Sequence, residues 1–525
     1  GYTLLFNPVA NATNYTLSYV CGTTSHDHKA IDLGGNTSYN FEDCNMPDDG
    51  FKFVVTASAD GWMSSISEEF TYWTGTKVEV NLDVGKYGAE ELDKAAITYG
   101  SNNYTLPVPT SNSVEYAFVG WYSQAENGTQ YTDHEGKSVH AWTYAESVTL
   151  YAHWSQIIRF DEVGGGYSVS ATPNIYLVSE ITIPQTHNGL TVTTINDFSN
   201  ATTLTTIKFY NTVTNITVGS IGIAFNGCSN LEKIEVLEAN GANDARFWDV
   251  DGVLLGKDTT TGDTLIYFYP YKHAIENNTY TIPDGVTRLT AGVFTDTESS
   301  TAAPTATTIV NLVVPASVVN VDLRAFYQIN RLQKITFLDP SDASKAVPLN
   351  VADGAFEDMG GLDTIVFPAR LANFSTAIFT EKNPYTNRDN SLSRLATVTV
   401  AKGSEKFEMI GGLITAKTGA ARELLYYPTP CRLPLSDPNA AGTLKYTDTI
   451  VIPEGVTSIS SNVLLRGTSD VIAANIKSIT IARTVTEIKS GAFANLISNS
   501  ASNKTGLSEL IFKGTAANNG RTIGD

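Results

Sequence analysis

The chain is patterned in short alternations of apolar and polar residues, each stopped by Pro, Gly or a lone aromatic. From residue 157 onward one kernel recurs. Ile181-Thr-Ile-Pro184 leads to Val192-Thr-Thr-Ile195, Phe198 and Leu204-Thr-Thr-Ile-Lys-Phe209. Val313-Val-Pro315 leads to Val318-Val-Asn-Val321, Ala325-Phe326 and Leu332-Gln-Lys-Ile-Thr-Phe337. Gly354-Ala-Phe356 precedes Leu362-Asp-Thr-Ile-Val-Phe-Pro368. Ile452-Pro453 precedes Gly455-Val-Thr-Ser-Ile459 and Leu464, and Ile479-Thr-Ile481 precedes Val485-Thr-Glu-Ile488 and Gly491-Ala-Phe493. Phe198 and Phe225 are 27 residues apart, Phe294 and Phe326 are 32, Phe326 and Phe356 are 30, and Leu464 and Phe493 are 29. The unit is degenerate, with loops of variable length.

L-x-x-I-x-F places Ile and Phe on one side of an extended strand and the residue between them on the other. The pattern predicts Ile207, Phe209, Ile335 and Phe337 inward, and Lys208 and Thr336 outward. Pro after I-x-I ends the strand, because it cannot donate to the next ladder bond. One unit cannot bury these faces alone, whereas stacked units can, so the pattern predicts a solenoid. A longer duplication lies within it. Phe247-Trp-Asp-Val-Asp-Gly-Val-Leu-Leu255 with Leu265-Ile-Tyr-Phe-Tyr-Pro270 matches Phe407-Glu-Met-Ile-Gly-Gly-Leu-Ile414 with Leu424-Leu-Tyr-Tyr-Pro428. Each copy reads as a β-hairpin, turning at Gly252 or at Gly411-Gly412.

With Gly165-Gly-Tyr-Ser-Val169, Asn188-Gly-Leu-Thr-Val192 and Asn226-Gly-Cys-Ser-Asn-Leu231, residues 157–525 resemble the BspA-like bacterial leucine-rich-repeat family. That resemblance implies a right-handed coil of short strands with few regular helices. Leu464 stands where the family usually has Phe, and 296–308 and 383–394 read as insertions. Upstream, Phe118-Val-Gly-Trp-Tyr122, Gly128-Thr129 and Val148-Thr-Leu-Tyr-Ala-His-Trp154 resemble the Listeria–Bacteroides repeat of internalin-type surface proteins. This implies a β-grasp-like domain at 77–156, whose core Trp121 and Trp154 would dominate. In residues 1–76, the strand-like segments 14–20, 51–57 and 67–72 fit a β-sandwich and resemble a fibronectin type III domain lacking its first strand. The expected fold class is therefore mainly β: a leucine-rich-repeat solenoid behind a β-grasp-like and a β-sandwich-like domain.

Composition narrows the partners. The net charge is −20, and residues 1–156 hold 19 acidic against 6 basic side chains. Nucleic-acid and anionic-membrane surfaces call for clustered Lys and Arg, which this sequence lacks. No apolar run approaches the ~20 residues of a membrane-spanning helix, and no signal peptide is visible. The chain enters on strand-like sequence at Gly1, and Thr522-Ile-Gly-Asp525 reads as the start of a further repeat, so both ends read as cut. Cys21, Cys44, Cys228 and Cys431 are too few and scattered for a disulfide framework. Cys21 and Cys44 share one module and are either paired or two free thiols.

Candidate chemistry is sparse. His26-Asp-His28 puts two imidazoles on one strand face without evident further metal ligands. Asp249-Val-Asp251-Gly252 and Asp48-Asp49-Gly50 resemble fragments of calcium loops, but read more simply as turns. Gly164-Gly-Gly166 lacks the following Gly-Lys-Ser/Thr of a phosphate cradle and reads as a turn. Asn-x-Ser/Thr sequons at Asn11, Asn14, Asn36, Asn103, Asn127, Asn200, Asn215, Asn277, Asn373 and Asn503 follow from a composition rich in these residues. No catalytic motif stands out, and no cofactor or metal is expected. A run of aromatics on an alternating strand must turn half its members outward. Tyr267, Tyr269, Tyr426 and Tyr427 are therefore candidate ligand contacts, against the alternative that they pack between coils. The expectation is an extracellular or cell-surface binding protein whose partner is a protein, alternatively a glycan held by those aromatics. A polysaccharide-active enzyme with a carboxylate pair formed in space is the third reading.

Overall fold

The structure is a computed structural model. It describes residues 2–21, 26–41, 51–61, 64–67, 70–72, 77–219, 222–239, 245–294, 308–327, 329, 331–357, 359–379, 395–428, 430–432, 444–446, 448–464, 476–496, 507–514 and 522–523. The chain forms two compact units, residues 1–158 with 172–177, and residues 159–171 with 178–525.

In the first unit, Asn14–Cys21 lies between His26–Gly34 and Phe51–Ser58, antiparallel to both. Tyr2–Leu5 and Ser38–Phe41 form a separate antiparallel ribbon. Tyr15, Leu17, Tyr19, Leu33 and Ala57 form the core of this part. Residues 77–156 make their own four-stranded sheet. Val148–Gln156 runs parallel to Lys77–Asp83 at its centre, with Tyr116–Tyr122 and Ala95–Thr98 antiparallel outside them. The Gly-Trp-Tyr step has a steric cause. Gly120 sits at a register shift with φ 155°, and a Cβ there would lie 2.1 Å from the Thr132 carbonyl oxygen. Trp121 is fully buried, and its indole N–H donates to the Pro107 carbonyl at 2.8 Å. That of Trp154 donates to Val84 at 3.0 Å. Trp142, not singled out by the pattern, is equally buried among Tyr104, Tyr131 and Tyr144.

The second unit is built from parallel ladders. On one wall, Glu180–Thr182, Thr206–Tyr210 and Lys233–Leu237 pair in succession. After an interruption, so do Thr279–Thr281, Asn311–Val314, Lys334–Phe337, Thr364–Phe367 and Thr397–Val400. After a second interruption, Thr449–Ile452, Ser478–Ile481 and Glu509–Phe512 pair in the same way. A second wall is made of shorter pieces, including Arg288–Leu289, Asn320–Val321 and Asn350–Val351, and later Ser458–Ile459, Glu487–Ile488 and Thr522–Ile523. The last of these pairs places the C-terminal Thr-Ile as one more repeat of this wall. Among the described residues there is no α-helix, only short 3-10 turns such as Thr376–Phe379.

Inward positions follow the alternation: Ile207, Phe209 and Ile335 are fully buried and Phe337 nearly so, while Lys208 and Thr336 face out. Each such Phe contributes ~1.5–3 kcal/mol by burial. The aromatics also stack from coil to coil, with Phe326 over Phe356 at 5.1 Å and Phe337 over Phe367 at 5.5 Å. Leu464 fills its Phe position fully buried.

Between the two walls the chain turns through a residue with positive φ, followed by Ala or Val and then a Phe or Leu that is buried at 294, 326, 356 and 464 and half-buried at Phe493. Gly292, Arg324, Gly354, Asn462 and Gly491 occupy this place with φ between 55° and 72°. Their N–H groups continue the ladder: Gly292 donates to Arg324, Arg324 to Gly354, and Asn462 to Gly491 at 3.0–3.1 Å. Arg324 is the costly member, since a non-Gly residue is strained there. Its guanidinium makes two 2.9 Å bonds to the buried carboxylate of Glu357 on the next coil.

The two hairpins are the interruptions. Phe247–Val250, Val253–Lys257 and Thr264–Phe268 form one, and Phe407–Ile410, Leu413–Thr418 and Ala421–Leu424 the other. Their turns, Asp251-Gly252 and Gly411-Gly412, hold two successive positive φ angles, the primed geometry that matches strand twist. The first hairpin closes the edge of Lys233–Leu237. Its Gly252 carbonyl accepts from Ile234 N–H at 2.9 Å, and Asp249 Oδ1 accepts from Val236 N–H at 2.7 Å. In the second, Ala421–Leu424 continues as a parallel neighbour of Ser458–Ile459.

After Asn350–Val351 the second wall narrows to a single bridge between Leu349 and Leu371, and side chains take over the backbone pairing. The Asn373 amide accepts from Val351 N–H at 3.1 Å and donates to its carbonyl at 2.8 Å. Arg370 is buried, and its guanidinium donates to the carbonyls of Val347 and Val318 at 2.9 Å and of Leu338 at 3.5 Å.

Two stability outcomes follow. Gly354→Ala forces a Cβ into the left-handed region at a cost of ~1–2 kcal/mol, read as a lowered thermal midpoint. Arg370→Met leaves the buried Val318 carbonyl without its donor, at ~1–3 kcal/mol, and also removes the part-buried bonds to Val347 and Leu338. Urea unfolding should show a larger loss for Arg370→Met than for Gly354→Ala; an equal or smaller loss would show that the clamp is dispensable.

Candidate binding surface

Because each strand of the long wall turns alternate residues outward, register stacks those residues in columns. In the central ladder one column is Thr279, Asn311, Lys334, Thr364 and Thr397, and the next is Thr281, Val313, Thr336, Val366 and Thr399. All of these are half-buried or exposed, while the residues between them are buried. Ten positions thus carry one charge, Lys334, and no carboxylate, in a chain of net charge −20. The flanking first ladder differs. There Lys208 sits 2.7 Å from Glu180 and 3.5 Å from Glu235, and Lys233 pairs with Glu235 as well. Charge is therefore paired off on the first three coils and withdrawn from the central five. These columns were within reach of the sequence, as the "x" of successive I-x-F units. What was missing was the register that aligns them.

The four tyrosines separate into two pairs. Tyr269 and Tyr426 are buried, which corrects the expectation that they offer faces to a ligand. Tyr269 meets Tyr280 and Phe294 edge-on, and Tyr426 sits 5.9 Å from Phe379 and donates its hydroxyl to the Leu395 carbonyl at 2.9 Å. They flank the aromatic stack of the central coils at its two hairpins, and the Tyr426 hydroxyl, with its partner, costs little there. Burial raises the pKa of both hydroxyls. Tyr267 and Tyr427 are half-buried. The Tyr267 ring lies edge-to-face on Phe247 and its hydroxyl accepts from Arg246 at 3.3 Å, while the Tyr427 hydroxyl accepts from Val451 N–H at 3.0 Å.

Asp249, a candidate calcium ligand, gives its carboxylate to the N–H groups of Val236 and Gly252, and Asp251 is the first residue of the turn. Cys44, Asp48, Asp49, Gly50 and the side chains of Cys21, His26, His28 and Cys431 lie outside the described residues, as does most of both insertions. Among the described residues no three His, Cys, Asp or Glu side chains converge on a point a metal could occupy. No helix of the described residues is long and apolar enough to cross a membrane.

Cys228, in the Asn-Gly-Cys-Ser-Asn-Leu step, is buried and donates to the Phe198 carbonyl on the preceding coil at 3.1 Å. Burial pushes its thiol up to about 12.

Parallel ladders, one-sided coils and a repeated left-handed corner define a leucine-rich-repeat solenoid. Residues 173–244, 305–391 and 442–513 match the BspA type leucine rich repeat region in six copies. Among solved structures, the chain is similar to a leucine rich cell surface protein from Faecalibacterium prausnitzii A2-165, at 17% identity over 69% of this chain and 94% of that one, with a TM-score of 0.27. It is similar to the pneumococcal vaccine antigen PcpA at 16% identity, over 68% and 69% of the two chains, with a TM-score of 0.27. A leucine-rich repeat protein from Eubacterium ventriosum ATCC 27560 shares 15% identity over 68% and 91%, with a TM-score of 0.24. No curated protein matches the chain.

The Cys228 thiol is protonated at neutral pH and enclosed, so it should be inert in the native state. In a variant with Cys21, Cys44 and Cys431 replaced by Ser, a thiol reagent at pH 8 should label Cys228 only after unfolding; rapid native labelling would show that the coil is open.

Proposed function

We propose that the chain is the extracellular part of a bacterial surface protein that binds another protein through the outward face of the central ladder. The supporting observation is the absence of carboxylates from that face. Interface centres are depleted in charge, and short β-branched side chains on a hydrogen-bonded sheet have little rotamer freedom to lose on binding. The paired charges of the first ladder would form a polar rim. The match of its repeats to the BspA type leucine rich repeat region supports the surface location and a binding role rather than catalysis. In this reading residues 1–76 are a fibronectin type III-like sandwich, residues 77–156 a β-grasp-like repeat, and the two serve as spacers for the solenoid at 157–525.

The test is a screen of the chain on immobilised extracellular-matrix proteins at physiological salt. A protein hit should lose at least tenfold in affinity on Thr336→Glu with Val366→Glu, since each buries an unpaired charge, ~2 kcal/mol or more apiece. Lys208→Ala, on the rim, should change affinity by less than threefold. Binding that survives the double variant, or that persists when 157–525 is deleted, would refute the central face as the site.

A further inference from the structure

Where the second wall narrows, the solenoid opens a cleft of about 560 Å³, within the ~300–1,000 Å³ range of small-ligand sites. Its origin is local. Residues 315–319 suffice to join Asn311–Val314 to Asn320–Val321, but 338–349 join Lys334–Phe337 to Asn350–Val351. The longer connector forms one side of the cleft, the 369–372 corner its floor, and the 402–406 loop the other side.

The charge inside is opposite to that of the chain. Arg370, Lys402 and Lys406 line it against Asp339 and Glu405. Asp339 turns both oxygens to the backbone, accepting from Ala369 N–H at 2.7 Å and Arg370 N–H at 3.3 Å. The Arg370 Nη atoms bond carbonyls, its buried Nε has no partner, and it makes no ion pair among the described residues, so its charge reaches the cleft without a contacting counter-ion. Desolvation pulls its pKa down and the Asp339 charge opposes that, but an arginine remains charged at any working pH. Lys406 reaches across to the Ala372 carbonyl at 2.8 Å, and Lys402 is exposed.

We infer that this cleft binds a small acidic sugar, its carboxylate held by Lys402 and Lys406 over the fixed charge of Arg370. The lining holds no aromatic ring on which a neutral sugar could stack. It offers small apolar surfaces, Pro340, Ala346, Pro348 and Ala369, that fit the edge of a hydroxylated ring, while the cations supply what a carboxylate needs. This site is separate from the central face proposed above, and Thr336 and Val366 are not among its lining residues.

The experiment is calorimetric titration of the full chain at 50 mM salt with glucuronate, a galacturonate disaccharide, N-acetylneuraminate, glucose, and a hexapeptide of Asp and Glu. Binding of at least one acidic sugar is expected, with glucose silent and affinity falling at 300 mM salt. Lys402→Ala with Lys406→Ala should lower that affinity at least tenfold, and Lys402→Glu, on an exposed side chain that leaves the fold untouched, at least fivefold. Silence towards every acidic sugar overturns the inference. So does binding of glucose at equal affinity, binding that survives both variants, or equal or tighter binding of the hexapeptide.

Discussion

The second unit depends on one constraint: no coil can bury its own apolar side. Ile335 and Phe337 are enclosed because Leu312 and Val314 lie on one side of them and Ile365 and Phe367 on the other, held there by unbroken parallel hydrogen bonds. Backbone pairing and hydrophobic burial thus act along the same axis, and each coil is stable only as far as its neighbours are. The left-handed corner serves this constraint. It brings the chain round in few residues while leaving its N–H free to bond the next corner, which explains why Arg324 is tolerated there once Glu357 anchors it.

Among the described residues, the hairpins divide this one-dimensional core into lengths of three, five and three long-wall strands. Such a break would ordinarily expose a strand edge. Here the first hairpin supplies its own carbonyl and carboxylate to the edge of Lys233–Leu237, and its tyrosine, Tyr269, joins the core of the next ladder. The same arrangement places Tyr426 beyond Phe379. Aromatic runs that suggest ligand platforms in the sequence are consumed as the end pieces of the central stack.

With the edge of Lys233–Leu237 closed and the apolar side chains of the central ladder turned in, what remains there for recognition is the outward face and the places where the repeat is irregular. The central face is continuous because register sets each outward residue beside the last. The cleft at 338–349 arises because one connector is longer and the wall beside it gives way to the side chains of Asn373 and Arg370. Regularity makes a broad surface, and departure from it makes a pocket.

The sequence by itself determined the strands, their inward residues and the hairpin turns. Alternation, Pro stops and Gly pairs act over a few residues and need no partner to be interpreted. Ile207, Phe209 and Ile335 were legible in this way, and so was the turn at Gly411-Gly412. Only the tertiary structure decided which outward residues share a column, because register depends on the lengths of all intervening loops. Tyr269 and Tyr426 are enclosed because a neighbouring coil covers them, which strand alternation does not encode. The same holds for Trp142, enclosed by rings from elsewhere in its module, and for Arg370, whose carbonyl partner Val318 lies 52 residues away. Local patterning names the element, and only the packing of distant coils says which of its residues a ligand could reach.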